Sequence, residues 1–133
     1  MRSMLKLLAF AVLIAAGQLL FKRTAQGVAD VTGTVAIVQR IMFDPYFIAA
    51  TAMYLAATFL WIFALREIPL SSAYPFMALA FVLVPAGAMF FFGESLDLRY
   101  FIGLALILAG IAVISSSSIA SYERAISGSS LSH

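Results

Sequence analysis

The sequence predicts an all-α polytopic membrane protein with four transmembrane helices. The chain has 133 residues, of which 64% are hydrophobic, whereas a soluble domain of this size is closer to half apolar. A bilayer core of about 30 Å requires about 20 apolar residues in a helix. Stretches near residues 4–21, 46–65, 70–92 and 98–118 meet that requirement. They occupy most of the chain, so we expect no soluble catalytic domain beside them.

The remaining composition argues against several functional classes. A net charge of +2 is too small and too dispersed for nucleic-acid binding, and without cysteine there is no disulfide or thiolate metal site. The one histidine, His133, ends the chain, and the six carboxylates are scattered. We therefore expect no catalytic residue, no metal and no cofactor. Residues 1–118 are predicted to form the transmembrane domain, and residues 119–133 a flexible, serine-rich tail.

The first span carries a polar side chain at membrane depth, Gln18. Gln18 lies one helical turn from both Ile14 and Lys22, so the three residues share a face. An unpaired amide is costly in hydrocarbon, and this face is expected to point towards protein or water. Gln18 either joins two helices by a hydrogen bond or lines a pathway. Lys22 and Arg23 mark the membrane interface, either as snorkelling anchors or as a phosphate-binding pair.

The long connection after the first span has the pattern of a short amphipathic helix. Apolar residues recur at helical intervals between residues 31 and 42. We predict a helix over about 31–43 that either lies in the membrane interface or packs over the mouth of a pathway, with an irregular loop as the alternative. Asp30 is expected to cap the start of this helix, and Asp44-Pro45 to stop it.

The third span contains two prolines, Pro75 and Pro85. Each removes a helical hydrogen bond and bends the helix. Hydroxyl side chains gather near the first of them, at Ser71, Ser72 and Tyr74. Opened backbone is tolerated in a membrane where it lines a wet cavity, so we interpret this helix as part of a translocation pathway. Bending without a functional role is the alternative. In the second span, Tyr54 lies near the middle and needs a hydrogen-bond partner.

The fourth span presents a stripe of small residues. Gly103 and Gly110 lie a heptad apart, with Ala109 beside the second glycine, and such a stripe favours close helix contact. Four helices alone enclose little volume, so we expect the stripe to contact a second subunit. Just before this span, Glu94 lies at the membrane edge, where it either pairs with Arg99 or couples transport to protons.

Taken together, these features resemble the drug/metabolite transporter superfamily in its four-helix form. The resemblance covers nearly all of residues 4–118. It rests on the four short spans, a glycine-rich last span, the turn Arg66-Glu67-Ile68-Pro69-Leu70, the run Ala73-Tyr74-Pro75 and the Gly93-Glu94 exit. The run Ala16-Gly17-Gln18-Leu19, followed by Lys22, is similar to the EamA-like branch. That branch includes ArnE and ArnF, the small subunits of the flippase for undecaprenyl phosphate–aminoarabinose.

The small multidrug resistance branch is a more distant resemblance. Members of that branch carry a proton-coupling glutamate in the first span and a tryptophan in the third span. The matching positions here are Ile14 and Met77. The comparison therefore argues against proton-coupled cation export by that mechanism.

The EamA-like resemblance implies a flippase subunit that moves a lipid-linked sugar across the bacterial inner membrane. It also implies a homodimer, or a heterodimer with a related four-helix chain. The candidate substrate-binding residues are Gln18, Lys22, Arg23, Tyr54, Arg66, Ser71, Ser72, Tyr74, Glu94 and Arg99. The candidate dimer-interface residues are Gly103, Ala109 and Gly110. Two alternatives stay open: an exporter of small cationic compounds or metabolites, and a non-transporting accessory subunit of a membrane glycosyltransferase system.

Overall fold

The part of the chain that the structure describes is almost entirely helical. A computed structural model describes the backbone of residues 2–129 and the side-chain surroundings of residues 4–117. Within that range the secondary structure is helical, without strands. The helices are α1 (Arg2–Gly27), α2 (Thr34–Met42), α3 (Pro45–Leu65), α4 (Leu70–Phe92) and α5 (Leu98–Ser129).

Four of the described helices are long and apolar enough to cross a membrane. Each apolar segment contains 20 to 24 residues, which matches the length that a bilayer core requires. The segments are Met4–Gly27, Pro45–Leu65, Leu70–Phe92 and Leu98–Ser117. A short helix, α2, lies between the first two of them. The predicted fold class is therefore confirmed, and the chain is a multi-pass membrane protein.

Local signals explain the start of α3 and the end of α4. Asp44 caps α3 by accepting hydrogen bonds from the backbone N–H groups of Tyr46, at 2.7 Å, and Phe47, at 3.2 Å. Pro45 occupies the first helical position, where its missing N–H is no loss. Gly93 ends α4 with a φ of +64°, a left-handed conformation that glycine adopts without strain. α4 continues through both of its internal prolines.

α1 packs between α3 and α4 and forms the centre of the bundle. Its contacts with α3 and with α4 are extensive, whereas α3 and α4 touch little, and α5 packs on α4. A short turn joins α3 to α4, but α1 lies between most of their length. Small buried residues let the helices approach closely. They include Ala11 and Ala15 of α1, Ala50, Ala57 and Ala64 of α3, and Ala73 and Ala78 of α4.

The end of the bundle that contains the start of α1 has its own small core. Leu7, Ala64 and Ala73 are fully buried together. Phe10 stacks on Trp61, with ring centroids 4.7 Å apart. Beside this core, Lys6 forms an ion pair with Glu67 in the α3–α4 turn. This pair attaches the start of α1 to the start of α4.

The short helix α2 is amphipathic and lies outside the core. None of its residues is buried, and apolar side chains such as Val35, Val38 and Met42 are exposed. α2 begins later than predicted, because Gly33 precedes it with a φ of +97° and no side chain caps its first turn. The predicted capping role of Asp30 was therefore wrong. A location in the membrane interface remains our prediction for α2.

The predicted serine-rich tail, residues 119–133, lies largely outside the described side chains. The described backbone remains helical as far as Ser129, beyond the predicted end of the last span at residue 118. Residues 130–133, which include His133, lie outside the described residues. The division into a transmembrane domain and a flexible tail stays a prediction.

We expect Gly17→Ala to weaken the contact between α1 and α3. A Cβ atom at Gly17 would lie 2.6 Å from Cε2 of the Tyr54 ring, so the ring or the helix must move. Overpacking of this kind costs about 1–3 kcal/mol. The free energy of unfolding in detergent micelles, followed by circular dichroism, measures the change. Ala52→Val, at an exposed position of α3, is the control. Equal stability of both variants and the unmodified chain would contradict the packing described here.

Candidate functional site

An apolar groove runs along the second half of α1, between α3 and α4. Its volume is about 510 Å³, and it is open on one side. α1 contributes three aliphatic residues, α3 contributes Tyr46 and Met53, and α4 contributes Phe91 and Phe92. Among the described lining residues, Arg23 carries the charge. A groove of this kind accommodates a long apolar chain and places one cation at its mouth.

Arg23 is positioned by the junction between α1 and α3. Its guanidinium group lies 5.9 Å from the centroid of the Tyr46 ring, within the range of a cation–π contact. The next residue, Thr24, is 4% exposed and donates a hydrogen bond of 3.4 Å to Asp44, the residue that caps α3. This bond attaches the last turns of α1 to the start of α3. Arg23 therefore remains exposed on a fixed backbone.

Lys22 provides a second cation at the same mouth. Its ammonium group lies 5.9 Å from the centroid of the Phe92 ring, which lines the groove, and it forms an ion pair with Glu94. Both side chains of the pair are partly exposed. The mouth therefore holds two adjacent cations, each over an aromatic ring of the groove wall. We call Lys22, Arg23, Tyr46, Phe92 and Glu94 the cationic mouth.

Gln18 lies one turn deeper and faces a different cavity. That cavity has a volume of about 270 Å³ and lies between α1, α4 and α5. The Gln18 side chain lies close to the Tyr54 hydroxyl. The Tyr54 ring packs on Gly17 and lies 5.3 Å from the Phe21 ring. The hydrogen-bond partner that Tyr54 was expected to need stays a prediction, and Gln18 is the candidate beside it.

Another group of predicted residues lies at the opposite end of the bundle. Arg66 follows α3, and Ser71 and Ser72 belong to the first turn of α4. Tyr74 is exposed, and its ring makes an edge contact with Trp61 at 6.3 Å. These residues lie at the Lys6–Glu67 end, about 24 Å along α1 from the cationic mouth. The structure therefore separates the predicted binding residues into two groups.

Two expectations concerned the residues around α5. Glu94 was expected to pair with Arg99 or to couple protons, and the described ion pair joins it to Lys22. Arg99 is exposed at the start of α5. A Cβ atom at Gly103 or Gly110 would meet no described atom within 4 Å, and Ala109 is exposed. The small-residue stripe is therefore uncovered within this chain, and its role as a dimer interface stays a prediction.

Sequence reasoning missed the aromatic walls of both cavities. It did not assign Tyr46, Phe92 or Tyr100 to the site. Tyr46 directly follows the Asp44-Pro45 cap, and Phe92 directly precedes Gly93-Glu94. Both positions are therefore at helix ends, beside the charged residues that the sequence did identify. Among the residues that the structure describes, no three acidic or histidine side chains are grouped so that they could hold a metal ion.

Comparison with known proteins confirms the predicted resemblance over part of the chain. A segment is 45% identical over 56 residues to the "probable 4-amino-4-deoxy-L-arabinose-phosphoundecaprenol flippase subunit ArnE" of Yersinia pestis (strain Pestoides F), covering 42% of this chain and 49% of that relative. The chain is similar to ArnE. The subunit of the same name from Pseudomonas aeruginosa (strain LESB58) is 46% identical over 57 residues, or 43% of this chain and 50% of the relative.

The similarity covers only part of this chain and part of each relative. The chain spans about half the length of the curated relatives that it matches. No protein-family model matches the chain, and no solved structure does. The relatives are named as flippase subunits, which are transporters rather than enzymes. Together with four membrane-spanning helices, the ArnE similarity places this chain in the bacterial inner membrane.

We expect a double-mutant cycle to detect the pairing of Lys22 with Glu94. Lys22→Gln and Glu94→Gln, made singly and together, should show a coupling of up to about 1 kcal/mol in the free energy of unfolding. The coupling should shrink at about 1 M salt, because salt screens partly exposed charges. The matched cycle of Arg99→Gln with Glu94→Gln should show none. A larger coupling for Arg99 than for Lys22 would contradict the described ion pair.

Proposed function

We propose that this chain is a subunit of a flippase that moves a sugar linked to a polyprenyl phosphate across the bacterial inner membrane. The observation that carries the proposal is the cationic mouth at the end of an apolar, open groove. We propose transport rather than enzymatic chemistry as its role. The names of the ArnE relatives supply the substrate class, 4-amino-4-deoxy-L-arabinose-phosphoundecaprenol.

The groove and its mouth match the two physical parts of such a lipid. A polyprenyl chain is apolar and long, and the open side of the groove lets most of it remain in the surrounding bilayer. A phosphate is anionic, and charge-assisted hydrogen bonds from Arg23 and Lys22 are the strong kind. Only the headgroup has to pass a polar region, so this substrate does not require a large closed cavity.

Glu94 has a definite part in this proposal. Without an anion, its carboxylate neutralises Lys22 at the membrane edge. An arriving phosphate offers Lys22 a second anionic partner. The lysine can therefore move from Glu94 to the phosphate without passing through a state in which its charge is unpaired. Since the Lys22–Glu94 pair is partly exposed, the exchange costs little desolvation. Glu94 therefore acts as an internal substitute for the phosphate rather than as a direct ligand of the sugar.

The second group of predicted residues serves the opposite membrane face in this proposal. Arg66, Ser71, Ser72 and Tyr74 are exposed or half-buried beside the Lys6–Glu67 pair. We propose that they contact the headgroup after it has crossed, with Arg66 as the cation. Arg99, at the cationic end, is proposed to attract the phosphate without holding it.

A second chain completes the transporter in this proposal. The relatives are named as subunits, and the α5 stripe of Gly103, Ala109 and Gly110 is uncovered within this chain. In lipid, such small residues favour close helix contact. We propose that the stripe binds another four-helix chain, which is either a second copy or a related subunit.

We expect Arg23→Gln and Lys22→Gln each to slow the transbilayer movement of a polyprenyl phosphate sugar by roughly 10- to 100-fold, the value of one charge-assisted hydrogen bond. The measurement is the exposure of the sugar on the far side of vesicles reconstituted with this chain and its related partner subunits. Arg40→Gln, on exposed α2, is the matched control and should keep the rate of the unmodified chain.

Two results would contradict this proposal. One is an unmodified chain that does not accelerate movement of the lipid, even with its partner subunits present. The other is a loss in Arg40→Gln as large as the loss in Arg23→Gln, because a uniform effect of basic residues indicates general attraction to anionic lipid rather than a defined phosphate site.

A further inference from the structure

We infer that the cavity beside Gln18 is a second subsite, which binds the uncharged, hydroxyl-bearing part of a lipid-linked headgroup. The inference rests on the proposed function and adds a place for the sugar to the place for the phosphate. The cavity lies on the other side of α1 from the groove, between α1, α4 and α5. We call it the Gln18 cavity.

The Gln18 cavity is large enough for a small polar headgroup. Its volume is about 270 Å³, and a neighbouring cavity of about 240 Å³ shares two of its lining residues, Phe81 and Tyr100. Gln18 belongs to α1, and Phe81 and Pro85 belong to α4. Tyr100 reaches in from the first turn of α5.

The polar groups of the cavity fit hydroxyl groups. The Gln18 amide both donates and accepts hydrogen bonds, and so does the Tyr100 hydroxyl. Pro85 has no N–H, so the carbonyl of Phe81, one turn earlier, cannot accept the usual helical bond from it. None of the described lining residues is charged. Apart from Gln18 and Tyr100, the described lining residues are apolar, so the cavity suits the uncharged, hydroxyl-bearing part of a sugar better than a phosphate.

Gln18 is held in position for this role. The nearby Tyr54 hydroxyl can use only part of the bonding capacity of the amide. Tyr54 is itself fixed, because its ring packs on Gly17 and beside the Phe21 ring. A ligand in the cavity thus meets a polar group that is already oriented, which lowers the entropic cost of binding.

The position of Lys22 connects the two subsites. Lys22 follows Gln18 by four residues, so it lies on the same face of α1 and about 6 Å further along the helix. Its partner, Glu94, belongs to the connection between α4 and α5, the two helices that form the other walls of the Gln18 cavity. A phosphate that replaces Glu94 at Lys22 therefore brings its attached sugar to the Gln18 cavity.

Fluorine NMR on the full chain, labelled with 3-fluorotyrosine in lipid nanodiscs, tests the inference. The probes are a polyprenyl monophosphate and the same lipid carrying one neutral sugar. Tyr46 reports on the cationic mouth, and Tyr100 on the Gln18 cavity; the variants Tyr46→Phe and Tyr100→Phe assign their signals. We expect the Tyr46 signal to shift with both lipids, and the Tyr100 signal to shift only with the glycosylated lipid.

Three other results separate this inference from the proposed function. A Tyr46 response without a Tyr100 response overturns the sugar subsite and leaves the phosphate site standing. A Tyr100 response to the glycosylated lipid without a Tyr46 response supports the sugar subsite and overturns the cationic mouth. If neither signal shifts with either lipid, the sugar subsite and the phosphate site at the cationic mouth are both overturned.

A matched pair of variants tests how much the Gln18 amide contributes to affinity for the lipid. Gln18→Leu should lower affinity for the glycosylated lipid by roughly 3- to 10-fold, the loss of one hydrogen bond, and should leave affinity for the bare lipid phosphate within about 2-fold. Gln39→Leu, on exposed α2, makes the same chemical change away from both cavities and should alter neither affinity. An equal loss for both lipids in Gln18→Leu would overturn the sugar subsite.

Discussion

The close contact between α1 and α3 is the constraint on which the rest of this structure depends. Lipid tails are as apolar as the helices, so association relies on packing rather than on the hydrophobic effect. Gly17 lies directly under the Tyr54 ring, and the alanines of α3 that are fully buried recur at heptad spacing. Because α1 is fixed along α3, each cavity beside it has a defined wall. The same contact decides where the charged ends of α1 lie.

With α1 in place, its two lysines meet the two connections that flank α4. Lys6 pairs with Glu67 before α4, and Lys22 pairs with Glu94 after it. An unpaired charge at the edge of hydrocarbon is costly, so each pair lowers the cost of placing an ion there. Both pairs remain partly exposed. They can therefore exchange partners with an incoming anion more readily than buried pairs, and this property suits a site that must bind and release a phosphate.

Sequence reasoning reached the helices, the helix stop at Asp44-Pro45 and the cationic residues because those signals are local. It did not reach the partner of Glu94, because Lys22 lies 72 positions away and only the packing of α1 on α4 brings the two together. Nor did it place Tyr46 and Phe92 in the groove wall. The rotation of a soluble helix about its axis follows from its apolar stripe. A transmembrane helix is apolar on every face, so its sequence does not encode that rotation in the same way.

The charges around α1 also bear on whether the substrate that we propose is anionic or cationic. Lys22 and Arg23 are consecutive, so their side chains leave the helix about 100° apart, one towards Phe92 of α4 and the other towards Tyr46 of α3. An anion between those rings meets both cations. Below them, Ile14 lines the Gln18 cavity, where an exporter of the small multidrug resistance type has a glutamate. A carboxylate there would attract a cationic drug and repel a phosphate. An apolar side chain at Ile14, beneath two cations, therefore agrees with the anionic lipid that we propose as the substrate.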